Sequence, residues 1–386
     1  MLYLDISSLV RKRKDSVSCK IIIGLNTAWN LYNFRSGLIR TLVSQNYEVV
    51  TFAPADDYVE KVEKLGCRFI PVDMDQRGVN FFSDLLLIFK IFCLFRKEKP
   101  DLFLGYTIKP NIYGSIVSRL CGVQYINNVA GLGSVFGNKG CLQKLVKKLY
   151  TLAFAKSSMV FFQNSEDLEY FTKVKIVNKV TTGLLPGSGV NLYKYRVVSL
   201  PNKKRFRFLL VARILKEKGV EVFVEAAQVL QKEGICADFA LLGFLETNNK
   251  FEISEHDIQK WVAQKSILYL GESFDVRKEI ASADCIVLPS FYREGTPKSL
   301  LEAAAMGRPI ITTNSIGCRN VVDHGINGYL CHPKDVIDLA SKMRMMTLLP
   351  RSERILMGLR GREKIEREFD EQIVINKYLN IIKQIL

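Results

Sequence analysis

Short apolar runs and longer amphipathic segments alternate along the first half of the chain. Gly66 and Pro100 each end a helical segment and precede an apolar run. The pattern predicts strands at 20–25, 47–52, 69–72, 101–105 and 123–127, and helices at 38–43, 59–65, 81–97 and 111–120. Strands that alternate with helices are typical of a parallel, doubly wound sheet.

The second half of the chain repeats this alternation. It predicts strands at 206–211, 238–242, 267–270, 285–288 and 309–313, and helices at 219–232, 276–281 and 297–306. The polar, proline-containing loop 200–204 between the two blocks is the predicted domain boundary. The predicted fold class is therefore α/β, with Rossmann-like domains at 1–199, which includes an extension at 1–18, and at 200–365. A ligand is expected in the cleft where the carboxyl ends of both sets of strands face each other.

Length and composition narrow the class of protein. A chain of 386 residues is too long for one ordinary core, so two domains of about 150–200 residues are expected. A hydrophobic fraction of 48% with 24% charged residues excludes disordered and fibrous chains. The apolar stretch 85–95 is shorter than the ~20 residues that cross a bilayer, so it is predicted to be buried or interfacial. Residues 1–18 lack a long apolar segment, so no secretory signal is predicted.

The net charge of +16 predicts an anionic partner. Charge alone leaves this partner open between nucleic acid, anionic lipid and phosphorylated substrates. The nine cysteines are scattered singly, mostly within apolar runs, which suits a reducing cytoplasm. They include no CxxC pair, so no zinc site is predicted.

The strongest local signal for chemistry is the segment FYREGTPKSLLE at 291–302, which follows a predicted strand. Thr296 suits the N-cap of a helix and Pro297 its first position, directly after the flexible Gly295. The free N–H groups and the positive dipole end of such a helix favour a phosphate or a developing anion.

Charged side chains are predicted around this helix start. Glu294 in the loop and Glu302 inside the helix place two carboxylates at different depths of one pocket, which suits the hydroxyl groups of a sugar and of a ribose. The segment VARILKEKG at 211–219 places Arg213 and Lys218 on the loop between a strand and a helix. These two cations would neutralise a diphosphate leaving group without a divalent metal ion. The alternative interpretation is that all four are ordinary surface charges.

Taken together, these charged residues resemble the donor site of glycosyltransferase family 4, which are retaining transferases with the GT-B fold. The resemblance covers nearly the whole chain. It implies that Arg213 and Lys218 hold the donor diphosphate as catalytic cations. It also implies that Glu294 contacts the donor sugar at the catalytic centre, and that Glu302 contacts the ribose.

The same resemblance implies roles for neighbouring segments. Backbone N–H groups around Gly295, Thr296 and Lys298, which flank Pro297, would contact the donor sugar or phosphate. The C-terminal helix at 366–386 would cross back onto the first domain. No metal ion and no other cofactor is expected.

Two segments of the first half are similar to a narrower group within the family. YTIKPNIYG at 106–114 and NNVAGLG at 127–133 resemble transferases that build bacterial surface glycans on undecaprenyl diphosphate, including N-acetylgalactosaminyltransferases. The likeness implies a UDP-sugar donor, a polyprenyl-diphosphate-linked acceptor and a peripheral location on the inner face of the cell membrane. Many family members have a histidine in this domain, whereas His256, His324 and His332 all lie in the second half. No imidazole base is therefore assigned.

Polar residues at strand ends of the first domain are candidates for acceptor binding. Arg35 follows the first strand, and Lys109 and Asn111 follow a later one. The DMD triplet at 73–75 has the spacing of a manganese site in a different transferase fold. Because Arg213 and Lys218 already take that electrostatic role, metal binding is not expected.

A basic amphipathic segment at 139–149 has two interpretations. Its lysines and leucines, together with the apolar stretch 85–95, suit docking to a membrane surface. The alternative is an ordinary packed helix with a solvated face.

The motifs thus predict a transferase that moves a sugar, expected to be an N-acetylhexosamine such as N-acetylgalactosamine from UDP, onto a lipid-linked glycan of an O-antigen, capsule or glycoprotein. A nucleotide-sugar epimerase or a phosphorylase of the same fold is one alternative. A basic protein that binds lipid surfaces or nucleic acid is another, but it would leave Glu294 and Glu302 without a role. Because basic motifs with interleaved aromatic residues are absent, no nucleic-acid partner is expected.

Overall fold

The computed structural model describes residues 18–75, 80–131, 140–245, 251–293 and 295–386. Glu294 lies outside the described residues, as do two residues of the 127–133 motif and the first lysine of the 139–149 segment. The first domain contains β1 (Lys20–Gly24), α1 (Ala28–Ser44), β2 (Glu48–Ala53), α2 (Val59–Glu63), β3 (Arg68–Pro71), α3 (Phe81–Glu98), β4 (Leu102–Tyr106), a π-helical turn (Pro110–Gly114), α4 (Ser115–Cys121), β5 (Gln124–Val129), α5 (Cys141–Phe154), β6 (Met159–Phe162), α6 (Ser165–Lys173) and β7 (Thr182–Leu184).

Within the described residues, the sheet of the first domain is parallel and has the strand order β3-β2-β1-β4-β5-β6-β7. This is the Rossmann order extended by one strand. The interior strand β1 carries Ile21, Ile22 and Ile23, all fully buried, because helices cover both faces of the sheet.

The second domain repeats the design. Its elements are β8 (Phe206–Val211), a 3₁₀ turn (Lys216–Lys218), α7 (Val220–Lys232), β9 (Ala237–Leu242), α8 (Glu255–Ala263), β10 (Leu268–Tyr269), α9 (Arg277–Ala281), β11 (Cys285–Leu288), α10 (Lys298–Ala305), β12 (Ile310–Thr313), β13 (Gly328–Cys331), α11 (Val336–Leu348) and α12 (Arg351–Glu368). The last helix of the chain, α13 (Glu371–Ile385), follows them. In the part of the chain that is described, its strands are parallel in the order β10-β9-β8-β11-β12-β13. The predicted α/β class with two Rossmann-like domains is confirmed.

The predicted cap of α10 is wrong by one residue. The helix begins at Lys298, and Pro297 occupies the N-cap with a ψ of 123° and no side-chain capping bond. This extended ψ keeps Pro297 outside the helix, so Thr296 is too early to cap it. The Thr296 hydroxyl is buried without a hydrogen-bond partner in the described residues. The Thr296 side chain packs against Gly187. A Cβ added to Gly187 would lie 2.9 Å from the Thr296 Cβ.

The chain crosses between the domains in two adjacent places. Val190, which follows β7, packs in the core of the second domain, whereas Tyr378 of α13 packs in the core of the first. The two crossings pair with each other: the Val190 N–H donates to the Phe369 carbonyl at 2.9 Å, and the Glu371 N–H donates to the Val190 carbonyl at 3.1 Å. The last helix therefore completes the first domain.

A fully buried arginine fastens the interdomain segment to the second domain. The Arg308 guanidinium donates to the carbonyls of Val198 at 2.7 Å and Ser199 at 3.0 Å. It also donates to the carbonyls of Ile280 and Ala281, both at 3.0 Å. Burial lowers the pKa of Arg308 to about 10, so it stays charged at neutral pH.

Candidate active site

The two charged motifs of the second domain contact each other directly. The backbone carbonyl of Glu217 accepts hydrogen bonds from the N–H groups of Phe291 at 3.0 Å and Tyr292 at 3.2 Å. Lys218, which is largely buried, places its ammonium group 5.3 Å from the centre of the Tyr292 ring. The loop after β8 and the loop after β11 thus meet at the carboxyl edge of the second sheet, where half-buried Arg213 also lies.

A glycine makes this close approach possible. Gly219 ends the turn that carries Lys218, with a φ of +77°, which favours glycine. A Cβ on Gly219 would lie 2.1 Å from the Pro289 carbonyl oxygen. Any larger residue would therefore push the two loops apart.

Glu302 lies in the second turn of α10. It is largely buried in α10, and its Oε1 accepts a hydrogen bond from the Tyr195 hydroxyl at 2.7 Å. Burial raises the pKa of Glu302, while the Lys298 charge and the Tyr195 hydrogen bond oppose that rise. Sequence reasoning missed Tyr195, because it lies in the crossing segment more than one hundred positions away (107).

The first turn of α10 also contacts the other domain. Lys298 donates from its Nζ to the Asn33 carbonyl, and Nζ lies 5.1 Å from the centre of the Phe34 ring. Burial lowers the pKa of Lys298. The Lys298 side chain therefore joins the two domains, and the predicted contact of its backbone N–H with the donor stays a prediction.

The loop before α10 closes on the first domain. The Gly295 N–H donates to the Ala130 carbonyl at 3.0 Å, and a Cβ on Gly295 would lie 2.3 Å from Gln163 Oε1. Arg293 pairs with the fully buried Asp167 at 3.2 Å. The domains therefore meet edge to edge around this loop.

A second ion pair lies beside the first. Arg319 of the second domain pairs with Glu166 in the first turn of α6. Burial favours the neutral acid, but the hydrogen bond and charge of Arg319 outweigh it and lower the pKa of Glu166. Neither acidic partner carried a recognisable signal in the sequence, because each is defined only by how the domains meet.

A pocket of about 240 Å³ opens beside these contacts. Residues of both domains line it, since Lys109, Asn111 and Asp75 of the first domain face Tyr292 and Arg293 of the second. The arrangement leaves room for a ligand at the carboxyl edge of both sheets, as expected for two facing Rossmann-like domains.

The three acceptor candidates have different surroundings. Lys109 lines the pocket, and its Nζ lies 2.7 Å from the carboxylate of buried Asp84. Asn111 also lines it, and its amide donates to the Asn128 carbonyl at 2.8 Å. Arg35 lies elsewhere, buried in α1 with its guanidinium 4.1 Å from the centre of the Tyr106 ring. The structure thus brings together two of the three predicted residues.

The DMD triplet has partners of its own. Asp73 pairs with Lys90 at 3.3 Å, and Asp75 accepts a hydrogen bond from the Ser83 hydroxyl at 2.8 Å. Over the ranges that are described, no three His, Cys, Asp or Glu side chains are arranged so that they could hold a metal ion.

The chain matches two family models, one in each half. Residues 21–164 match the model "Glycosyl transferase 4-like", and residues 193–357 match "Glycosyl transferases group 1". Together the two matches span most of both domains.

Two relatives that are named as sugar transferases, and one solved structure, are similar to this chain over most of its length. The N,N'-diacetylbacillosaminyl-diphospho-undecaprenol alpha-1,3-N-acetylgalactosaminyltransferase of Campylobacter jejuni is 26% identical and covers 92% of this chain and 96% of its own. The UDP-Gal:alpha-D-GlcNAc-diphosphoundecaprenol alpha-1,3-galactosyltransferase of Escherichia coli is 25% identical over 73% of this chain and 74% of its own. The structure of Anabaena HepE with UDP and glucose superposes with a TM-score of 0.77 at 17% identity, covering 95% of this chain and 100% of that one.

The fold, the two family models and these relatives define a class: the chain is a glycosyltransferase, an enzyme built from two Rossmann-like domains. Within that class, it belongs to the family-4 type with the GT-B fold, which confirms the resemblance described from its sequence.

Proposed function

We propose that this enzyme moves an N-acetylhexosamine, with retention of configuration, from a UDP-sugar onto a glycan carried by undecaprenyl diphosphate. The observation that carries the proposal is the contact between the Lys218 loop and the loop that leads into α10, which gathers positive charge and helix N–H groups at one sheet edge. The Campylobacter and Escherichia relatives, whose names give undecaprenol-linked acceptors, support the acceptor class.

Different residues would bind different parts of the donor. Arg213 and Lys218 would neutralise the diphosphate, and the first free N–H groups of α10 would add to that field. Glu302, whose carboxylate is held by Tyr195, would accept hydrogen bonds from the ribose hydroxyl groups. The role of Glu294 toward the donor sugar stays a prediction from the resemblance.

The chemistry proposed is a displacement on one face of the sugar. The acceptor hydroxyl forms its bond to the anomeric carbon on the side from which UDP leaves. The bond between that carbon and the diphosphate oxygen breaks, and the departing oxygen takes the acceptor proton. Negative charge grows on the leaving diphosphate, so Arg213 and Lys218 stabilise the transition state more than the bound substrate. No step needs a metal ion, and we expect undiminished activity in the presence of EDTA.

A direct assay tests the proposal. The enzyme is incubated with UDP-N-acetylgalactosamine, UDP-N-acetylglucosamine or UDP-galactose and an undecaprenyl-diphosphate-linked sugar, and the products are measured by mass spectrometry and by NMR of the new linkage. We expect one added N-acetylhexosamine in the same anomeric configuration as the donor. Conversion of the donor to its epimer without an acceptor would establish an epimerase instead, and a product of inverted configuration would contradict the displacement described.

The pKa of Glu302 predicts a pH dependence of donor binding. Only the ionised carboxylate accepts hydrogen bonds from both ribose hydroxyls, and burial raises this pKa, so UDP affinity should fall with falling pH earlier than an ordinary glutamate would cause. Tyr195→Phe removes a hydrogen bond that lowers the pKa. The fall in affinity should therefore move to higher pH in this variant.

Isothermal titration calorimetry with UDP between about pH 5 and pH 8 measures this shift, because the range lies above the usual pKa of a glutamate carboxyl. Tyr193→Phe is the matched control, because Tyr193 lies two positions earlier and is exposed. The phosphates of UDP titrate in the same way whichever variant is present. The difference between the pH profiles of the proteins therefore reports on Glu302. Coinciding pH profiles for Tyr195→Phe and the unaltered enzyme would refute the assignment.

A further inference from the structure

An apolar surface of the first domain lies on α3 and faces solvent. Large side chains at successive turns of the helix, Phe81, Phe82, Leu85, Leu86 and Phe89, are 53–81% exposed. Their spacing places them along one side of the helix, opposite the side that packs in the core. Contiguous apolar patches of this kind mark interaction sites on soluble domains.

This surface is a groove rather than isolated side chains. Leu120 at the end of α4, also exposed, joins Phe82, Leu86 and Phe89 in lining a depression of about 590 Å³ between α3 and α4. Within the residues described, that lining is wholly apolar. We call this depression together with the exposed side of α3 the α3 face.

Positive charge lies near the α3 face on three helices. Arg96 and Lys97 are exposed in the last turn of α3, and Arg119 is exposed next to Leu120. Arg119 also donates to the Leu152 carbonyl at 2.6 Å, which ties α4 to α5. Helix α5 adds exposed lysines and leucines at positions 144, 145, 148 and 152.

Negative charge is absent from the exposed parts of these three helices as far as they are described. The acidic residues of α3, Asp84 and Glu98, are buried and paired with Lys109 and Lys20. Helices α4 and α5 contain no acidic residue. Two exposed carboxylates from outside these helices, Asp73 and Asp75, contact α3 through Lys90 and Ser83. An apolar centre whose exposed charges on the three helices are basic matches the hydrocarbon and anionic headgroups of a lipid bilayer.

The α3 face begins beside the pocket between the domains. Ser83 in the first turn of α3 donates to Asp75, which lines that pocket. In the same turn Asp84 pairs with Lys109, another lining residue. If α3 lies on a membrane, molecules held in that membrane are therefore close to the mouth of the pocket.

We propose that the α3 face docks on an anionic bilayer, with Phe82 and Phe89 entering the hydrocarbon boundary and Arg96 and Lys97 contacting the headgroups. The proposal deepens the proposed function, since it explains how a lipid-linked acceptor reaches the pocket. It is narrower than the sequence interpretation of 139–149, because α3 supplies most of the apolar contact and α5 supplies charge.

Vesicle flotation tests the docking without any transfer reaction. The full chain is mixed with phosphatidylcholine vesicles that contain or lack phosphatidylglycerol. We expect binding to the anionic vesicles, and a decrease of at least about tenfold in the partition constant for Phe82→Ser/Phe89→Ser, because each aromatic ring loses its burial. Arg96→Gln/Lys97→Gln should weaken binding by a similar factor at low salt and by less at high salt.

Ile337→Ser/Leu348→Ser on α11 is the matched control. Both side chains are at least as exposed as Phe89, but they lie in the second domain. This variant should bind vesicles like the unaltered protein. Circular dichroism melts establish that each variant is folded, which is expected because the replaced side chains already face water.

The proposal would be overturned if the α3 face did not bind an anionic bilayer or bound something else. Failure of the unaltered protein to bind anionic vesicles would do so, as would equal binding by Phe82→Ser/Phe89→Ser. A dimer in solution that dissociates in this variant would identify a second copy as the occupant. Binding that requires undecaprenyl phosphate in the vesicle would identify the isoprenoid chain.

The proposed function can fail independently of the docking. Transfer to a water-soluble, short-chain acceptor reports on the reaction alone. Vesicle binding without any transfer would leave the docking intact and contradict the proposed function. Transfer without vesicle binding would contradict only the docking.

Discussion

Turnover is expected to fall about a hundredfold when either Arg213 or Lys218 is replaced by alanine, with the UDP-sugar saturating. Each cation would interact most strongly with the charge that develops on the departing diphosphate. Removing one such contact costs about 10²–10³ in kcat in comparable sites. The affinity for the donor should fall less than kcat, because the ground-state diphosphate keeps the other cation and the amides of α10. Steady-state kinetics with saturating donor and acceptor measures both effects.

Lys216→Ala is the matched control for this experiment. Lys216 lies in the same 3₁₀ turn as Lys218, but it is exposed and pairs with Glu221 at 3.1 Å. Its removal should leave kcat unchanged. Because Lys218 is largely buried, Lys218→Arg serves as a second variant that keeps the charge, and melting temperatures establish folding. Unaltered turnover in Arg213→Ala or Lys218→Ala would overturn the donor-site assignment.

Arg308→Met is expected to lower the free energy of unfolding by about 3–5 kcal/mol. The substitution removes a buried charge whose hydrogen bonds reach the carbonyls of Val198, Ser199, Ile280 and Ala281, and methionine replaces none of these bonds. Two of these carbonyls belong to the segment that connects the domains. We therefore expect that segment to exchange its amide hydrogens faster in the variant.

Urea unfolding followed by circular dichroism, with hydrogen exchange of residues 198–199, measures both effects. Arg351→Met is the control, because Arg351 donates to the Leu200 and Pro201 carbonyls of the same segment but from an exposed position. Water replaces those bonds, so a loss of about 1 kcal/mol or less is expected. Equal losses in both variants would show that burial of Arg308 has no special effect.

Much of the fold followed from local patterns in the chain. The alternation of strands and helices predicted both sheets, because buried parallel strands require continuous apolar runs such as that of β1. The contact between the Lys218 loop and the 291–302 segment also followed, because both leave parallel strands at the same edge. In contrast, the start of α10 was displaced by one residue, since the dihedral angles of Pro297 depend on its packing.

The partners of the site residues could not be predicted in the same way. Asp84 neutralises Lys109 from a helix that begins nearly thirty positions earlier (residues 81–98), and Tyr195 holds Glu302 across the domain connection. Arg293 and Asp167 meet only because the domains close on each other. Such pairs depend on three-dimensional packing and have no fixed spacing along the chain.

The path of the last helix has a consequence for biosynthesis. Tyr378 and its neighbours on α13 fill the first domain, and the Tyr378 hydroxyl accepts a hydrogen bond from Asn128 at 3.0 Å. On the ribosome, the first domain emerges long before these residues are translated, so the apolar side chains that α13 covers stay exposed while the second domain is made. The amino-terminal half should therefore need chaperone protection until the final turns of the polypeptide are released.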